Sequence, residues 1–396
     1  MQGRHPWVYR SDVAESNVEG NDVPPGSLVR VLDLRGKFLG TALYSSSSQI
    51  TIRMISHGSV ADLPALVAER IRAAISYRKE LVSNTDAYRI IFSEGDFLPG
   101  LIVDRYNDVL CLQILTQAMD AVPVREAVLQ TLREELQPAG IVERVDARIR
   151  ELEQLPPLQS RLLWGEKSST VFTMNSTMNS GVRFHYDGLE GQKTGAFLDQ
   201  RENYAAAAQY AHGEALDAFC YQGGFALHFA VQPAVHSALH PAGKISSVTG
   251  VDSSRPALEM AEKNGALNGR ELEWIEANAF DLLREYAASG RRYDTIVLDP
   301  PAFAKTKRDL EKALGGYKEL NLRAMKMLRP GGILVTCSCS YHVGASDFFE
   351  VVADAARDAH KSFRVIENRG AAKDHPMLLN VPETSYLKCL ILSVSN

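Results

Sequence analysis

The sequence predicts an α/β protein in which a doubly wound parallel sheet follows a small β domain and an α+β connector. From about residue 213, short apolar runs alternate with helix-like segments, as in strand–helix–strand units with right-handed crossovers. Residues 27–55 instead hold three short strand-like runs separated by turn residues. The region between them mixes both kinds of segment, so we expect domains at 1–70, 71–175 and 176–396.

The composition fits a folded protein of two or three domains. The chain has 396 residues, of which 45% are hydrophobic, and its net charge is −5. This charge excludes a strongly basic tail that binds nucleic acid, so any RNA contact needs local basic patches. Residues 1–80 hold 10 Lys and Arg against 8 Asp and Glu, whereas the remainder holds 33 against 40.

The cysteines and the absence of targeting signals predict a cytoplasmic protein. No segment is long and apolar enough to span a membrane, and the start lacks the apolar core of a signal peptide. The five cysteines are scattered, apart from Cys337 and Cys339, which favours a reducing compartment. No second Cys or His pair lies at ligand spacing, so we expect no metal site.

The N-terminal β domain is predicted from three runs. Residues 27–33 and 38–44 are short strand-like runs, and they are split by a turn at 35–37. Residues 49–55 alternate apolar and polar side chains with a period of two, as a half-buried strand does. We therefore expect a small, strand-rich unit.

The connector begins with an amphipathic helix that is rich in Arg and Lys. It is predicted over 64–80 and starts at Pro64. Three strands are predicted at 88–92, 101–103 and 109–115, and one further helix is predicted at 121–136. The mixture predicts an α+β module.

The C-terminal region supplies the sheet of the predicted site. Its strands are predicted near 215–219, 246–251, 272–275, 294–298 and 332–336. Its helices are predicted at 224–239, 255–268, 279–289, 317–329 and 346–359. Ligands of such sheets bind beyond the carboxyl ends of the strands, where we look for the site residues.

A glycine turn after the first of these strands predicts a cofactor site. Gly223 and Gly224 let the backbone turn tightly and approach a ligand, and the helix that follows adds free N–H groups. Asp252 follows the next strand, where a carboxylate can accept two hydrogen bonds from a ribose diol. The alternative is that Asp252 is the N-cap of the following helix.

The turn favours S-adenosylmethionine over NAD, because it carries Phe219, Tyr221 and Gln222 and lacks the glycine spacing of a dinucleotide site. Asn278, after the third strand, would meet an adenine edge, and Asp217 would meet the amino-acid part of the cofactor. The predicted cofactor-binding residues are Gln200, Asp217, Phe219, Tyr221, Gly223, Gly224, Asp252, Ser253, Asn278, Ala279, Asp299 and Pro300.

An acid, two prolines and an aromatic ring end the fourth strand, at Asp299–Phe303. Proline lacks a backbone N–H and stops the ladder, and an acid beside an aromatic ring suits a flat ligand such as a nucleobase. The next apolar run ends at Cys337 and Cys339, so the two runs together predict methyl transfer with a cysteine nucleophile. The predicted substrate-binding residues are Pro301, Phe303, Lys305, Tyr317 and Lys318.

Five segments, in order and spacing, resemble one family over nearly the whole chain. They are residues 4–9, 191–201, 299–303, 315–318 and 338–340. The chain is similar to the PUA-domain-containing ribosomal RNA large-subunit methyltransferases that form 5-methylcytosine, within the class I superfamily dependent on S-adenosylmethionine. The resemblance implies an RNA-binding, PUA-like β-barrel at the N-terminus and a Rossmann-like methyltransferase domain at the C-terminus.

The chain departs from the family pattern within the predicted cofactor site. Asn278 stands where an acidic residue is expected, so the adenine contact differs, and Gln222 replaces a small hydroxyl residue. The link between the first crossover helix and the second strand is also longer than expected and carries Pro233 and Pro241, which leaves the limits of that helix open.

The resemblance implies a chemistry for the two catalytic residues, Cys339 and Asp299. Carbon 5 of cytosine is a poor nucleophile until a thiolate adds to carbon 6, and a thiolate is nucleophilic yet able to leave again. The family's Ser-Cys-Ser pattern falls on 338–340 and favours Cys339, with Cys337 as the alternative two residues away. Both thiols could instead be buried structural residues. Asp299 would hydrogen-bond the cytosine or transfer a proton.

Two other functions stay open. One is an RNA guanine N-methyltransferase on the same scaffold, which would need no covalent activation. The other is a non-catalytic RNA-binding assembly factor. The expected partner is ribosomal RNA, with no membrane and no metal, and a homodimer is an open expectation.

Overall fold

The computed structural model describes residues 5–14, 23–176, 181–189, 196–231, 244–304 and 306–395. The chain forms two compact units. The first unit comprises Met1–Thr170, Tyr186–Gly195 and Lys373–Thr384, and the second comprises Val171–His185, Ala196–Ala372 and Ser385–Asn396. The predicted division into three domains stays a prediction.

A four-stranded antiparallel sheet opens the first unit. Its strands are β1 (Trp7–Tyr9), β2 (Leu28–Leu32), β3 (Phe38–Tyr44) and β4 (Ile50–Ser56). They lie in the order β1-β4-β3-β2, so the three predicted strands are confirmed to within a residue and β1 is an addition. At three residues, β1 is too short to show a period-two pattern.

The rest of the first unit is a five-stranded sheet with helices. Its strands are β5 (Ala87–Phe92), β6 (Leu101–Tyr106), β7 (Val109–Ile114), β8 (Gly140–Glu143) and β9 (Arg161–Gly165). Its helices are α1 (Leu63–Leu81), α2 (Gln117–Asp120), α3 (Val122–Leu136) and α4 (Ala147–Leu152). Asp62 caps α1 by accepting a hydrogen bond from the Ala65 N–H at 2.9 Å, with Pro64 in the first turn. A separate pair, β10 (Ser169–Met174) and β11 (Val182–Asp187), follows.

The second unit is built on a seven-stranded mixed sheet. Its strands are β12 (Gly213–Asp217), β13 (Ile245–Asp252), β14 (Glu273–Glu276), β15 (Tyr293–Leu298), β16 (Leu328–Ser338), β17 (Phe363–Arg369) and β18 (Lys388–Val394). Its helices are α5 (Arg201–Tyr210), α6 (Gly224–Val231), α7 (Arg255–Leu267), α8 (Ala279–Ala288), α9 (Leu310–Met327) and α10 (Ala345–Asp358). The strand order is β14-β13-β12-β15-β16-β18-β17, and β12 to β16 run parallel.

The five predicted parallel strands and their crossover helices are confirmed. The sheet is extended by β17 and β18, which run antiparallel and which the sequence did not predict. The first crossover helix, α6, was predicted to reach residue 239, and its described part ends at Val231. The expected link to β13 over 232–243 lies outside the described residues.

The start of α9 corrects a second prediction. The helix was expected over 317–329, with Tyr317 and Lys318 at its start. Instead it begins at Leu310, and Gly315 and Gly316 lie within it. A Cβ at Gly316 would lie 3.4 Å from the Phe303 ring, which is an ordinary van der Waals distance, so this part of the helix packs directly against the ring.

Candidate active site

The carboxyl ends of the parallel strands bring most of the predicted residues to one edge of the second unit. The chain order reverses between β12 and β15, which is the switch point where open α/β sheets bind ligands. Asp217 ends β12, Asp252 ends β13, Asp299 follows β15, and Cys339 follows β16. Parallel register therefore puts these four side chains at the same edge.

The glycine turn is held in a tight conformation. Tyr221 and Gly223 both have positive φ, 49° and 88°. A Cβ on Gly224 would lie 2.6 Å from the ring of Tyr204, which is itself 4% exposed. Because that ring cannot retreat from the core, residue 224 must be glycine for α6 to begin where it does.

Asp252 fixes this turn to the end of β13. Its carboxylate accepts hydrogen bonds from the Tyr221 N–H at 3.0 Å and from the Ser254 N–H at 2.9 Å. The N-cap of α7 is Ser254, which accepts from the Ala257 N–H. The alternative interpretation of Asp252 as the N-cap is therefore wrong, and Ser253 lies between the two.

Asp217 and Gln200 each have a buried polar side-chain atom without a hydrogen-bond partner in the described part of the chain. Asp217 is 1% exposed; its Oδ2 accepts from the Ala226 N–H at 3.1 Å, while Oδ1 has no partner among the described residues. The Oε1 atom of Gln200 accepts from Asn203 at 2.7 Å, while its Nε2 likewise lacks a partner within the described part of the chain. Burial, with a smaller contribution from the charge of Asp252, raises the pKa of Asp217 to about 7.

These unsatisfied atoms fit the amino-acid end of a methyl donor. A buried polar atom without a partner costs free energy, so its retention points to a ligand that completes it. The carboxylate oxygen of Asp217 can accept from an ammonium group, and the amide of Gln200 can donate to a carboxylate. The residues present therefore fit the expected cofactor.

Aromatic rings lie at the carboxyl end of β14. Asn278 is the N-cap of α8, and its Oδ1 accepts from the Phe280 N–H at 2.9 Å. Phe219 packs edge-on against Phe280 with 6.5 Å between ring centroids. Ala279 is 6% exposed and starts the helix. The amide that departs from the family pattern thus serves the helix cap.

The two candidate nucleophiles have different environments. Cys337 is completely buried and faces Cys389 across the β16–β18 ladder. Cys339 lies just beyond the strand, is half-buried, and donates to the Pro300 carbonyl at 3.8 Å. The structure thus puts Cys339, and not Cys337, against the predicted nucleobase loop.

Burial raises the pKa of the Cys339 thiol to about 11. The nearby carboxylates of Asp299 and Asp199 raise it further, and the ammonium group of Lys388 opposes them. The resting side chain is therefore a neutral thiol, and it needs positive charge nearby to become a nucleophile.

Ser340 joins the nucleobase loop to α9. Its hydroxyl accepts from the backbone N–H groups of Phe303 at 3.0 Å and Ala304 at 3.3 Å, and it shares a hydrogen bond of 2.9 Å with the Tyr317 hydroxyl. The Phe303 and Tyr317 rings lie 4.7 Å apart. One buried hydroxyl therefore holds the loop that carries Phe303 against the turn that carries Cys339.

The predicted substrate residues occupy different places. Pro301 is exposed and Phe303 is half-buried at the loop, whereas Tyr317 is 1% exposed and stands in the wall behind Phe303. Lys318 pairs with Asp358 at 2.8 Å. Because α9 begins earlier than predicted, Tyr317 and Lys318 lie in its middle and not at its start. Lys305 lies outside the described residues.

Three further residues of the site were not predicted. The Tyr386 hydroxyl donates to Asp199 at 2.6 Å, and Lys388 is 8% exposed beneath residues 338–340. Asp199 lies in the 191–201 segment that carried the family resemblance. The one sequence signal for Lys388 is a lysine at the head of an otherwise apolar run, which is unusual for a buried strand.

The described residues form neither a metal-binding cluster nor a membrane-spanning helix. In that part of the chain no three His, Cys, Asp or Glu side chains are grouped so that they could hold a metal ion. Across the same residues, every helix is too short or too polar to cross a membrane.

Comparison with known families assigns both ends of the chain. Residues 1–57 match a PUA-like domain, and residues 119–392 match the S-adenosylmethionine-dependent methyltransferases. The predicted fold, cofactor and family are thereby confirmed.

Similar proteins extend over the full length. Proteins named ribosomal RNA large subunit methyltransferase I are 37% identical in Shewanella denitrificans, with 100% of this chain and 96% of the relative covered, and 37% identical in Photobacterium profundum, with 98% and 95% covered. One from Aeromonas hydrophila is 36% identical over 98% of this chain and 95% of its own length.

Solved structures agree on the fold. SMU.776, crystallised with SAH, superposes with a TM-score of 0.79 at 18% identity, over 99% of this chain and 96% of that one. A Streptococcus mutans protein solved as a candidate SAM-dependent methyltransferase gives a TM-score of 0.76 at 18% identity, over 98% and 95%. With its two matched domains and its full-length relatives, the chain belongs to the ribosomal RNA large subunit methyltransferase I family, enzymes that use S-adenosylmethionine.

Proposed function

We propose that this protein methylates carbon 5 of a cytosine in large-subunit ribosomal RNA, with Cys339 as the nucleophile. The observation that carries the proposal is the contact of the half-buried Cys339 thiol with the Pro300 carbonyl, next to Asp299 and at the same sheet edge as the glycine turn. The names of the full-length relatives support ribosomal RNA as the substrate.

The turn between β12 and α6 would hold the methyl donor. Asp252, with Ser253 beside it, would bind the ribose hydroxyls, and Asp217 Oδ1 and Gln200 Nε2 would bind the amino-acid end. The adenine would lie among the aromatic rings at Phe219 and Phe280, beside the Asn278 cap. When bound, S-adenosylmethionine supplies an electrophilic methyl group on a sulfonium sulfur.

Cys339 would begin the reaction by losing its proton and adding through sulfur to carbon 6 of the cytosine. The addition moves the electrons of the 5,6 double bond onto carbon 5, which then becomes the nucleophile. After methylation, carbon 5 must lose its proton to a base. The electron pair then re-forms the double bond and the sulfur–carbon bond breaks, which returns the thiolate.

The nucleobase loop would position the cytosine for this attack. Asp299 would accept a hydrogen bond from the amino edge of the base, Pro301 would shape the entrance, and Phe303 would stack on the ring. The Ser340 hydroxyl fixes Phe303 relative to the turn of Cys339, so the ring and the sulfur approach the base from set positions.

The N-terminal sheet would bind RNA outside the reactive site. Residues 1–57 match a PUA-like domain, and the guanidinium of Arg30 lies over the Phe38 ring at 5.1 Å on this sheet. Such a cation beside an aromatic ring suits a stacked base with its phosphate.

The test uses ribosomal RNA that contains 5-fluorocytidine. Fluorine at carbon 5 cannot leave as a proton, so the cysteine adduct should accumulate as a protein–RNA complex that survives denaturation. Cys339→Ala should lose both this complex and turnover while it still binds S-adenosylmethionine in calorimetry. The matched control is Cys337→Ala, two residues earlier on β16, which should keep both the protein–RNA complex and turnover.

Two results would overturn the proposal. Turnover by Cys339→Ala would reject the nucleophile. Mass spectrometry of the modified nucleosides that found N-methylguanine, and no 5-methylcytosine, would reject the reaction and favour guanine methylation.

A further inference from the structure

We propose that Lys388 is a positioning residue for Cys339: its ammonium group tethers the turn at residues 338–340 and supplies the positive charge that favours the thiolate. The inference rests on the proposed role of Cys339 as nucleophile. It deepens that role by naming what activates the sulfur.

The first observation is where Lys388 lies. It is the first residue of β18 and pairs with Ser338, the last residue of β16, in the antiparallel ladder. Its Nζ donates to the carbonyl of Ser340 at 2.7 Å and to that of Tyr386 at 2.8 Å. The ammonium is therefore anchored to the residue that follows the nucleophile.

The second observation is that this buried cation lacks a counter-ion. Lys388 is 8% exposed, and within the described residues its ammonium group bonds to two backbone carbonyls and to no carboxylate. A buried charge without an opposite charge is costly, so a negative charge that develops nearby would stabilise this ammonium group. Cys339 directly precedes Ser340, whose carbonyl accepts from this ammonium group, and its thiol acquires a negative charge when it loses its proton.

The charged groups around this pair are few. Asp347, on α10, acts on Lys388 from a distance, while Asp199 and Asp299 act on Cys339. Both of these carboxylates oppose the thiolate, and Lys388 is the cation that favours it. Burial lowers the pKa of Lys388 to about 8, so the ammonium is present at neutral pH and is lost in alkali.

Another lysine provides a matched control. Lys361 is also a partly buried amine, and its Nζ donates to two backbone carbonyls, those of Met325 at 2.8 Å and Leu328 at 2.6 Å. Burial lowers its pKa as well, but the charge next to it is Arg292. Lys361 thus shares the tether and the burial of Lys388 but does not act on the nucleophile.

The test measures the alkylation of Cys339 by iodoacetamide in the intact protein between pH 6 and pH 10. Cys339 is half-buried and the other four cysteines are buried, so it should react first, and peptide mass spectrometry identifies the labelled residue. The variants are Lys388→Met, Lys388→Gln and Lys388→Arg, with Lys361→Met as the control. Lys388→Gln keeps a donor for the carbonyls but removes the charge, so it separates tether from charge.

The expected result has a pH signature. Near pH 7, loss of the opposite charge should slow alkylation about tenfold in Lys388→Gln and Lys388→Met. Above the pKa of Lys388, the wild-type protein loses the same charge, so the alkylation rates of the wild type and of these two variants should become equal. Lys388→Arg should stay near the wild type, and so should Lys361→Met.

Equal alkylation rates in Lys388→Gln and the wild type near pH 7, or an equal loss in Lys361→Met, would overturn the inference. A deficit in Lys388→Gln that stays constant to pH 10 would also overturn it, because it would reflect structure and not charge. If Lys388→Met fails to fold, the comparison of Lys388→Gln with Lys388→Arg decides. Turnover by Cys339→Ala would instead reject the nucleophile itself, so the two failures are distinct.

Discussion

The cofactor side and the nucleophile side of the sheet edge are built in different ways. The core of the cofactor side is local: β12, the glycine turn and the end of β13 lie within 213–254, and their hydrogen bonds run mainly to backbone N–H groups. Gln200 and Asn278 complete this side from outside that range. The nucleophile side joins Asp199, Ser340 and Tyr386 from distant parts of the chain through side-chain bonds. A substitution on one side should therefore leave the other side intact.

The largest effect should come from filling the cofactor turn. Gly224→Val would force a branched side chain into the Tyr204 ring. We therefore expect the Kd for S-adenosylmethionine, measured by calorimetry, to rise at least 100-fold. The control is Gly315→Ala in α9, where an added Cβ would meet nothing within 4 Å. This substitution should raise the free energy of unfolding by up to about 1 kcal/mol, because alanine has the higher helix propensity. Normal cofactor affinity in a folded Gly224→Val protein would contradict the tight turn described here.

A smaller effect should come from the nucleophile side. Ser340→Ala removes the hydroxyl that holds Phe303, Ala304 and Tyr317, so we expect kcat to fall about 10- to 100-fold while the Kd for the cofactor stays unchanged. The control is Ser393→Ala, at the end of β18 away from Lys388, which should keep the wild-type kcat. If Ser340→Ala weakened the cofactor instead, the two sides would not be independent.

The smallest effect should be a pH dependence of cofactor binding. The pKa of Asp217 is about 7, and only the ionised form can pair with an ammonium group, so affinity should rise about tenfold from pH 6 to pH 8. Asp217→Asn should bind more weakly and lose this rise. Calorimetry at the two pH values measures both, and an equally steep rise in Asp217→Asn would assign the titration to another group.

The same carboxyl predicts the sign of a stability change. Its pKa is raised on folding, so the folded protein holds the proton more tightly than the unfolded chain does. The ligand-free protein should therefore lose stability as the pH rises from about 4 to about 7, where Asp217 becomes charged in its buried place. Asp217→Asn should lack this contribution in thermal melts across that range.

The local side was predictable from sequence, whereas on the nucleophile side Cys339, Asp299 and Phe303 were predicted but the long-range contacts that join this side were not. Strand alternation, the paired glycines and Asp252 identified the sheet and the turn because each is a short-range pattern. The role of Lys388 depends on β18 running antiparallel beside β16, a tertiary pairing that no spacing in the sequence shows. The start of α9 was missed because the low helix propensity of Gly315 and Gly316 is outweighed by the packing of the helix, which buries Ala313, Tyr317 and Leu320.

The Ser340 hydroxyl has a consequence for how RNA must enter. Because it hydrogen-bonds the loop of Phe303 to the strand end that carries the sulfur, these two segments should move together when RNA binds. A base that is stacked within a duplex has to leave the stack to reach the sulfur, so we expect ribosomal RNA nucleotides that unstack at low cost to be methylated first.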